Sequence, residues 1–180
     1  MFMEFMEVVE ARRSVRAYKT DAVPQETVEK VIRAAQLAPT WKNSQTGRYY
    51  VIMSEEKRAE FREKCLPEFN ANNCKDAPVL IVCTFEANRA GFNREGIPDN
   101  ELGNEWGAYD LGLQTENLVL AAKNEGLDTL IMGIRDGDAI RAFLGVPESQ
   151  HVVSVISMGY RDIDPEMPKR KELEKVAVFL

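Results

Sequence analysis

Hydrophobic and polar positions switch between helical and strand periods along this chain. Phe2, Phe5, Met6 and Val9 recur at helical spacing and predict a short first helix. Val23-Pro24-Gln25-Glu26 reads as a helix start with proline in the first turn. Val28, Val31, Ile32, Ala35 and Leu37 continue it as an apolar stripe, which Pro39 ends. Residues 48–53 (RYYVIM) are aromatic and β-branched and predict a strand. Residues 55–65 predict a charged surface helix with Phe61 facing inward, and 66–76 a loop. The unbroken apolar run 78–85 (PVLIVCTF) predicts a central strand buried on both faces. Residues 105–125 form the longest predicted helix, apolar over much of its surface and capped by Gly126. A strand over 127–134, a short helix over 136–144 capped by Gly145, and a strand over 152–157 follow. The tail ends in the apolar run Val176-Ala177-Val178-Phe179-Leu180. Such a terminal strand either closes this chain's own sheet edge or adds to a partner's sheet, which would imply a homodimer.

Residues 86–104 break the pattern. They are polar, rich in Gly and Asn, and long for a structureless connection, so they read as a mobile cover over a site. A length of 180 residues suits one domain over 1–180 and is short for two. The 44% hydrophobic and 29% charged content is that of a soluble globular protein. No run of about 18 apolar residues predicts a membrane span. The first residues carry acids before bases, which argues against a secretory signal. A net charge of −6 argues against general nucleic-acid binding. Cys65, Cys74 and Cys83 form no C-x-x-C pair, so neither a metal site nor a disulfide framework is indicated. Cys83 reads as a buried core thiol, and a reducing cytoplasm is the expected compartment.

Two stretches carry candidate chemistry. Arg12-Arg13-Ser14-Val15-Arg16 sets three guanidinium groups and a hydroxyl within five residues, in a chain that is acidic overall. Planar forks of donors suit a phosphate dianion, and Arg never loses its charge. The alternative is an exposed run that only solvates a helix end. The second stretch is Ala38-Pro39-Thr40-Trp41-Lys42-Asn43-Ser44-Gln45. Its Asn and Gln amides, two residues apart, can read the edge of a heterocycle. They serve equally in a turn that satisfies its own backbone. No G-x-G-x-x-G follows a strand and no G-x-x-x-x-G-K-[ST] exists, so neither a Rossmann domain nor a P-loop is supported. His151, the one histidine, sits at a strand start and reads as structural. Trp106 and Tyr109 read as packing or interface residues.

In order, these motifs resemble the nitroreductase family of FMN-dependent oxidoreductases. An RRSxR cluster is followed by a helix ending in A-P-T, then N-x-Q and an aromatic strand. L-A-A-K-N-E-G-L at 120–127, T-L-I-M-G at 129–133, F-L-G-V-P-E at 143–148, V-I-S-M-G-Y at 155–160 and P-K-R-K at 168–171 extend the likeness. It runs from about Phe5 to Leu180. The resemblance implies an α+β fold: a central, mainly antiparallel mixed sheet wrapped by helices, in an intertwined homodimer with two FMN sites at its interface. By position, Arg12, Arg13, Ser14 and Arg16 would hold the FMN phosphate, the ribityl chain and part of the ring edge. Lys169, Arg170 and Lys171 match a basic pair that completes the phosphate site. Thr40, Trp41, Asn43 and Gln45 match a loop that reaches the flavin from the second subunit. Leu130, Ile131, Met132 and Gly133 match a strand end whose backbone lies near the flavin N5.

The implied reaction is ping-pong. NADH or NADPH gives hydride to the flavin and leaves, and a small electron-poor acceptor, a nitroaromatic or quinone, then takes it. The flavin performs the hydride chemistry, so no catalytic side chain is required. The same fold also admits reductive dehalogenation or flavin breakdown, or a flavin-binding protein without catalysis. Two departures stand out. Thr46 and Gly47 follow Gln45 where the family often has proline and an aromatic residue, a change expected to open the pocket mouth or alter the substrate face. Gly126-Leu127-Asp128 replaces a usual G-L-G, with Asp128 either restricting the backbone or capping a turn.

Overall fold

A computed structural model describes residues 4–180; Phe2, the first position of the predicted N-terminal stripe, lies outside them. The apolar run forms strand β2 (Val79–Glu86), an interior member of a four-stranded sheet of order β1-β2-β4-β3. The others are β1 (Gly47–Ile52), β3 (Asp128–Met132) and β4 (Gln150–Gly159). All neighbours in the sheet run antiparallel. Side chains of a strand alternate between faces. Val79, Ile81, Cys83 and Phe85 therefore enter one core and Leu80 and Val82 the other, which is why no polar residue interrupts this strand before Thr84.

The first core lies under α2 (Gln25–Gln36) and α5 (Glu105–Asn124). On α5 the buried positions Gly107, Asp110, Leu111, Gln114, Thr115, Leu118, Val119 and Ala122 repeat at helical spacing. Gly107 is needed there, because a Cβ would stand 2.3 Å from the Phe85 ring. The second core lies under α3 (Glu55–Cys65) and α6 (Gly137–Leu144), which contribute Phe61, Cys65 and Ile140. Gly126 and Gly145 take positive φ of 79° and 65° at the ends of α5 and α6, as helix-ending glycines do.

Several expectations are corrected. The first helix, α1 (Phe5–Ala11), buries Val8, while Phe5 and Met6 of the predicted stripe face outward. Leu37 falls beyond α2 and is exposed. The predicted loop 66–76 contains a short helix, α4 (Glu68–Asn73), begun by Pro67 at its N-cap. Strand β4 is longer than predicted at both ends. The apolar tail forms no strand: a single 3-10 turn at Leu173–Lys175 precedes it, and Val176, Val178, Phe179 and Leu180 are exposed. It does not close this chain's own sheet edge.

Candidate functional site

The Arg-rich segment is fixed against the sheet. Arg12 leaves α1 in an extended conformation. The Val15 N–H donates to the Thr129 carbonyl at 3.0 Å, and Ser14 pairs with Thr129 as a parallel bridge. Val15 is fully buried. The Tyr18 hydroxyl donates to the Val15 carbonyl at 2.9 Å and meets the Ser157 hydroxyl at 2.9 Å. Burial pushes that phenol's pKa upward. The segment thus lies along β3, whose Leu130 and Met132 point inward while Ile131 and Gly133 are exposed. The structure therefore brings the Arg cluster and the Leu130–Gly133 strand end together.

The guanidinium groups of Arg13 and Arg16 differ. Arg13 turns back on its own helix, donating to the carbonyls of Glu10 and Arg12, so this residue does solvate a helix end. Its Nε remains buried without a partner. Arg16 makes only a local contact, to the Ser14 carbonyl at 3.3 Å.

The second segment is strained and anchored. Trp41–Asn43 make one 3-10 turn, and Lys42, Asn43 and Gln45 take positive φ of 46°, 55° and 48°. Each such non-glycine residue costs about 1 kcal/mol or more. Three contacts offset the cost. Thr40 Oγ1 accepts from the Gln45 N–H at 3.1 Å, the Trp41 N–H donates to the Asp110 carboxylate at 2.8 Å, and the Trp41 ring packs on Trp106 at 4.6 Å. Asp110 lies on the buried face of α5. Desolvation pushes its carboxyl pKa up, and the Trp41 N–H and the Ser44 hydroxyl pull it back. Asp110 was absent from the sequence-based site. Its signal was a carboxylate at the buried helical spacing of Leu111, Gln114 and Leu118.

Buried polar atoms are ordinarily hydrogen-bonded. Arg58 Nε and Arg135 Nε elsewhere lack a partner, as do Arg13 Nε and Trp41 Nε1 within these two segments and Thr46 Oγ1 just after the second. The two within the segments are N–H donors, which suit a ligand that presents acceptor oxygens and ring nitrogens, as FMN does.

The two segments do not meet within one chain. Ser14 bridges to Thr129, which aligns with Met158 and through it with Val79, whereas Gly47 aligns with Phe85. They occupy opposite corners of the sheet, on the order of 25 Å apart from strand spacing and rise. The basic run Lys169–Lys171 lies in the exposed arm that follows β4, and makes no ion pair among the described residues.

Residues 86–104 are not a structureless cover. Asn93 Oδ1 accepts from the N–H groups of Glu95 and Ile97 at 3.0 and 2.9 Å. Asn100 Oδ1 accepts from Leu102 and from Trp106 Nε1 at 3.1 and 2.9 Å, and Asn88 and Asn104 bond to one another. Lys42 Nζ reaches Asp99 Oδ2 at 2.7 Å, tying this Ω-shaped loop to the Trp41 turn. Between the two lies a cavity of about 1020 Å³.

The two departures have local reasons. A Cβ at position 47 would stand 1.9 Å from Gln114 Oε1, which accepts the Tyr49 hydroxyl at 3.0 Å. Gly47 thus makes room for a core hydrogen bond, and it lines a cavity together with Gln45. Asp128 neither restricts the backbone nor caps a turn: it is buried and paired with Lys123 at 3.1 Å and Arg161 at 3.8 Å. Cys65, Cys74 and Cys83 are buried free thiols, and burial pushes them up to about 11, 11 and 12. His151 stacks on Phe85 at 5.1 Å. Among the described residues no helix is long and apolar enough to cross a membrane.

Comparison with known proteins gives a coherent set. The family model described as "Nitroreductase family" matches residues 9–73 and 67–160. A provisionally named NADH dehydrogenase/NAD(P)H nitroreductase of Archaeoglobus fulgidus is 29% identical over 171 residues, covering 87% of this chain and 85% of that protein. Iodotyrosine deiodinase 1 of Mus musculus is 27% identical, over 97% of this chain and 69% of its own. A provisionally named nitroreductase of Exiguobacterium sibiricum, solved in complex with FMN, superposes with a TM-score of 0.87 at 24% identity, covering 99% of this chain and 98% of the other.

Proposed function

The chain belongs to the nitroreductase family, and from that premise we propose that it is an FMN-dependent oxidoreductase working as a homodimer. Flavin, when bound, takes hydride from NADH or NADPH and yields it to an electron-poor acceptor such as a nitroaromatic or quinone. The carrying observation is the split site: an Arg cluster at one corner of the sheet and an amide-bearing loop at the other, each holding unpartnered buried polar atoms. Two copies facing one another in antiparallel fashion bring one corner of each together, which one chain cannot do.

In this reading Arg12, Arg13, Ser14 and Arg16 neutralise and orient the phosphate, a dianion that needs several cations. Lys169, Arg170 and Lys171 add charge when the arm docks. Thr40, Trp41, Asn43 and Gln45 of the second copy hold the pyrimidine edge. Donors there stabilise negative charge on the reduced ring, and the strained turn keeps them in place before the reaction. The backbone of Leu130, Ile131, Met132 and Gly133 borders the reacting side. No proton-transferring side chain is assigned.

The visible spectrum of the purified protein, before and after NADH or NADPH without oxygen, tests this. A yellow protein that bleaches supports the reading, and an acceptor should then restore the colour. A colourless protein that FMN cannot reconstitute would remove the cofactor assignment. A second reading, reductive dehalogenation, is favoured by the likeness to iodotyrosine deiodinase. It is separated by offering the bleached protein an iodinated phenol and assaying released iodide.

A further inference from the structure

We propose that the cavity between the Trp41 turn and the 89–96 rim is an oxyanion subsite, in which Arg89 and Arg94 bind a carboxylate or phosphate of the molecule that exchanges hydride. This deepens the flavin reading above and rests on it.

Three observations carry the inference. First, place: the cavity of about 1020 Å³ opens beside Asn43 and Ser44, on the loop assigned to the flavin edge, and Trp41 and Phe92 give it aromatic walls. Second, charge: its lining holds Lys42, Arg89 and Arg94 against the carboxylate of Glu95. Lys42 is already committed to Asp99 at 2.7 Å. Arg89 and Arg94 are exposed and make no ion pair among the described residues. In a chain of net charge −6 this is a local cationic spot. Third, order: the Gly91 carbonyl accepts the Asp99 N–H at 2.8 Å, the Asn93 N–H donates to the Ile97 carbonyl at 2.9 Å, and Phe92 pairs with Pro98 as a bridge. The backbone that carries both arginines is therefore fixed. Two guanidinium forks lining one cavity on a fixed backbone suit a planar oxyanion, and less backbone ordering is then lost on binding.

The anion has two sources: a carboxylated acceptor, or the 2′-phosphate that distinguishes NADPH from NADH. Of the chain's two tryptophans, Trp41 lines this cavity and Trp106 packs against Trp41 at 4.6 Å, so their fluorescence reports binding without turnover. With oxidised, flavin-loaded protein, Kd is measured for 4-nitrobenzoate against 4-nitrobenzamide, and for NADP+ against NAD+, which bind without giving hydride. The expected result is tighter binding of the more anionic member of at least one pair, by about fivefold, weakening as salt rises. Arg89→Ala with Arg94→Ala brings that ratio close to one, and Arg94→Glu inverts it. The pair that responds identifies the source. Ratios near one in the parent, or ratios untouched by these substitutions, overturn the subsite. Failure of both donors to bleach the flavin would instead overturn the hydride-transfer reading, and is seen separately.

Discussion

Asp110 shows most plainly how single residues govern the proposed site. Its carboxylate holds the Trp41 N–H at 2.8 Å, and through it a turn with three non-glycine residues at positive φ. Burial raises its pKa above the ordinary 3.8, so the native state holds this proton more tightly than the unfolded chain. The native state binds more protons in the window that starts at the ordinary value and extends upward, so stability falls as pH rises through that window. Asp110→Asn keeps an oxygen for the Trp41 N–H and removes the ionisation. Urea unfolding at several pH values should show the parent losing stability relative to Asp110→Asn as pH rises above the ordinary carboxyl value. Parallel pH dependences for the two would mean that Asp110 does not feel its burial. Asp110→Ala strands the N–H and should cost about 1–3 kcal/mol at any pH.

At the scale of elements, Asp128 locks three pieces. Lys123 ends α5, Asp128 starts β3, and Arg161 follows β4; the Asp128 and Lys123 side chains are only 3% and 11% exposed. Removing one member of a buried pair leaves the other charged and dry. Asp128→Ala should therefore cost about 3 kcal/mol in urea unfolding, with the slope against denaturant unchanged. A loss within about 0.5 kcal/mol would place the pair effectively in solvent. Elements whose pattern concerns one chain were legible in advance: the two-faced burial of β2, the helical stripe of α5, and the glycine ends of α5 and α6. What was missed depends on distant contacts. Phe5 and Met6 have helical spacing, yet spacing does not say which side of α1 faces the core. Asp128 looked like a turn residue because its partners are at positions 123 and 161. The asparagines of 86–104 read as flexible composition, whereas their side chains close the loop's own backbone.

Over the whole molecule, three exposed features of one chain suit the proposed second copy. The proposed ligands sit at opposite corners of the sheet. The outer face of α5, with Ala108, Tyr109, Gly112 and Glu116, lies uncovered next to α1, whose Phe5 and Met6 are also exposed. The arm after Asp162 carries Leu173, Val176, Val178 and Phe179 into solvent, while β1 remains an unpaired sheet edge. An apolar arm and an open edge are complementary, since the edge offers a row of backbone donors and acceptors and the arm supplies apolar side chains. In an antiparallel pair of copies the arm of each would cross to the other and carry Lys169–Lys171 with it. Deleting residues 173–180 should therefore halve the mass seen in sedimentation and release the flavin. Adding FMN at high concentration should restore some colour, since the cluster of Arg12, Arg13 and Arg16 is untouched, but not the dimer. A truncated protein that stays dimeric and yellow would show that α1 and α5 suffice to hold the copies together, and that the arm's basic run does not bear on the phosphate.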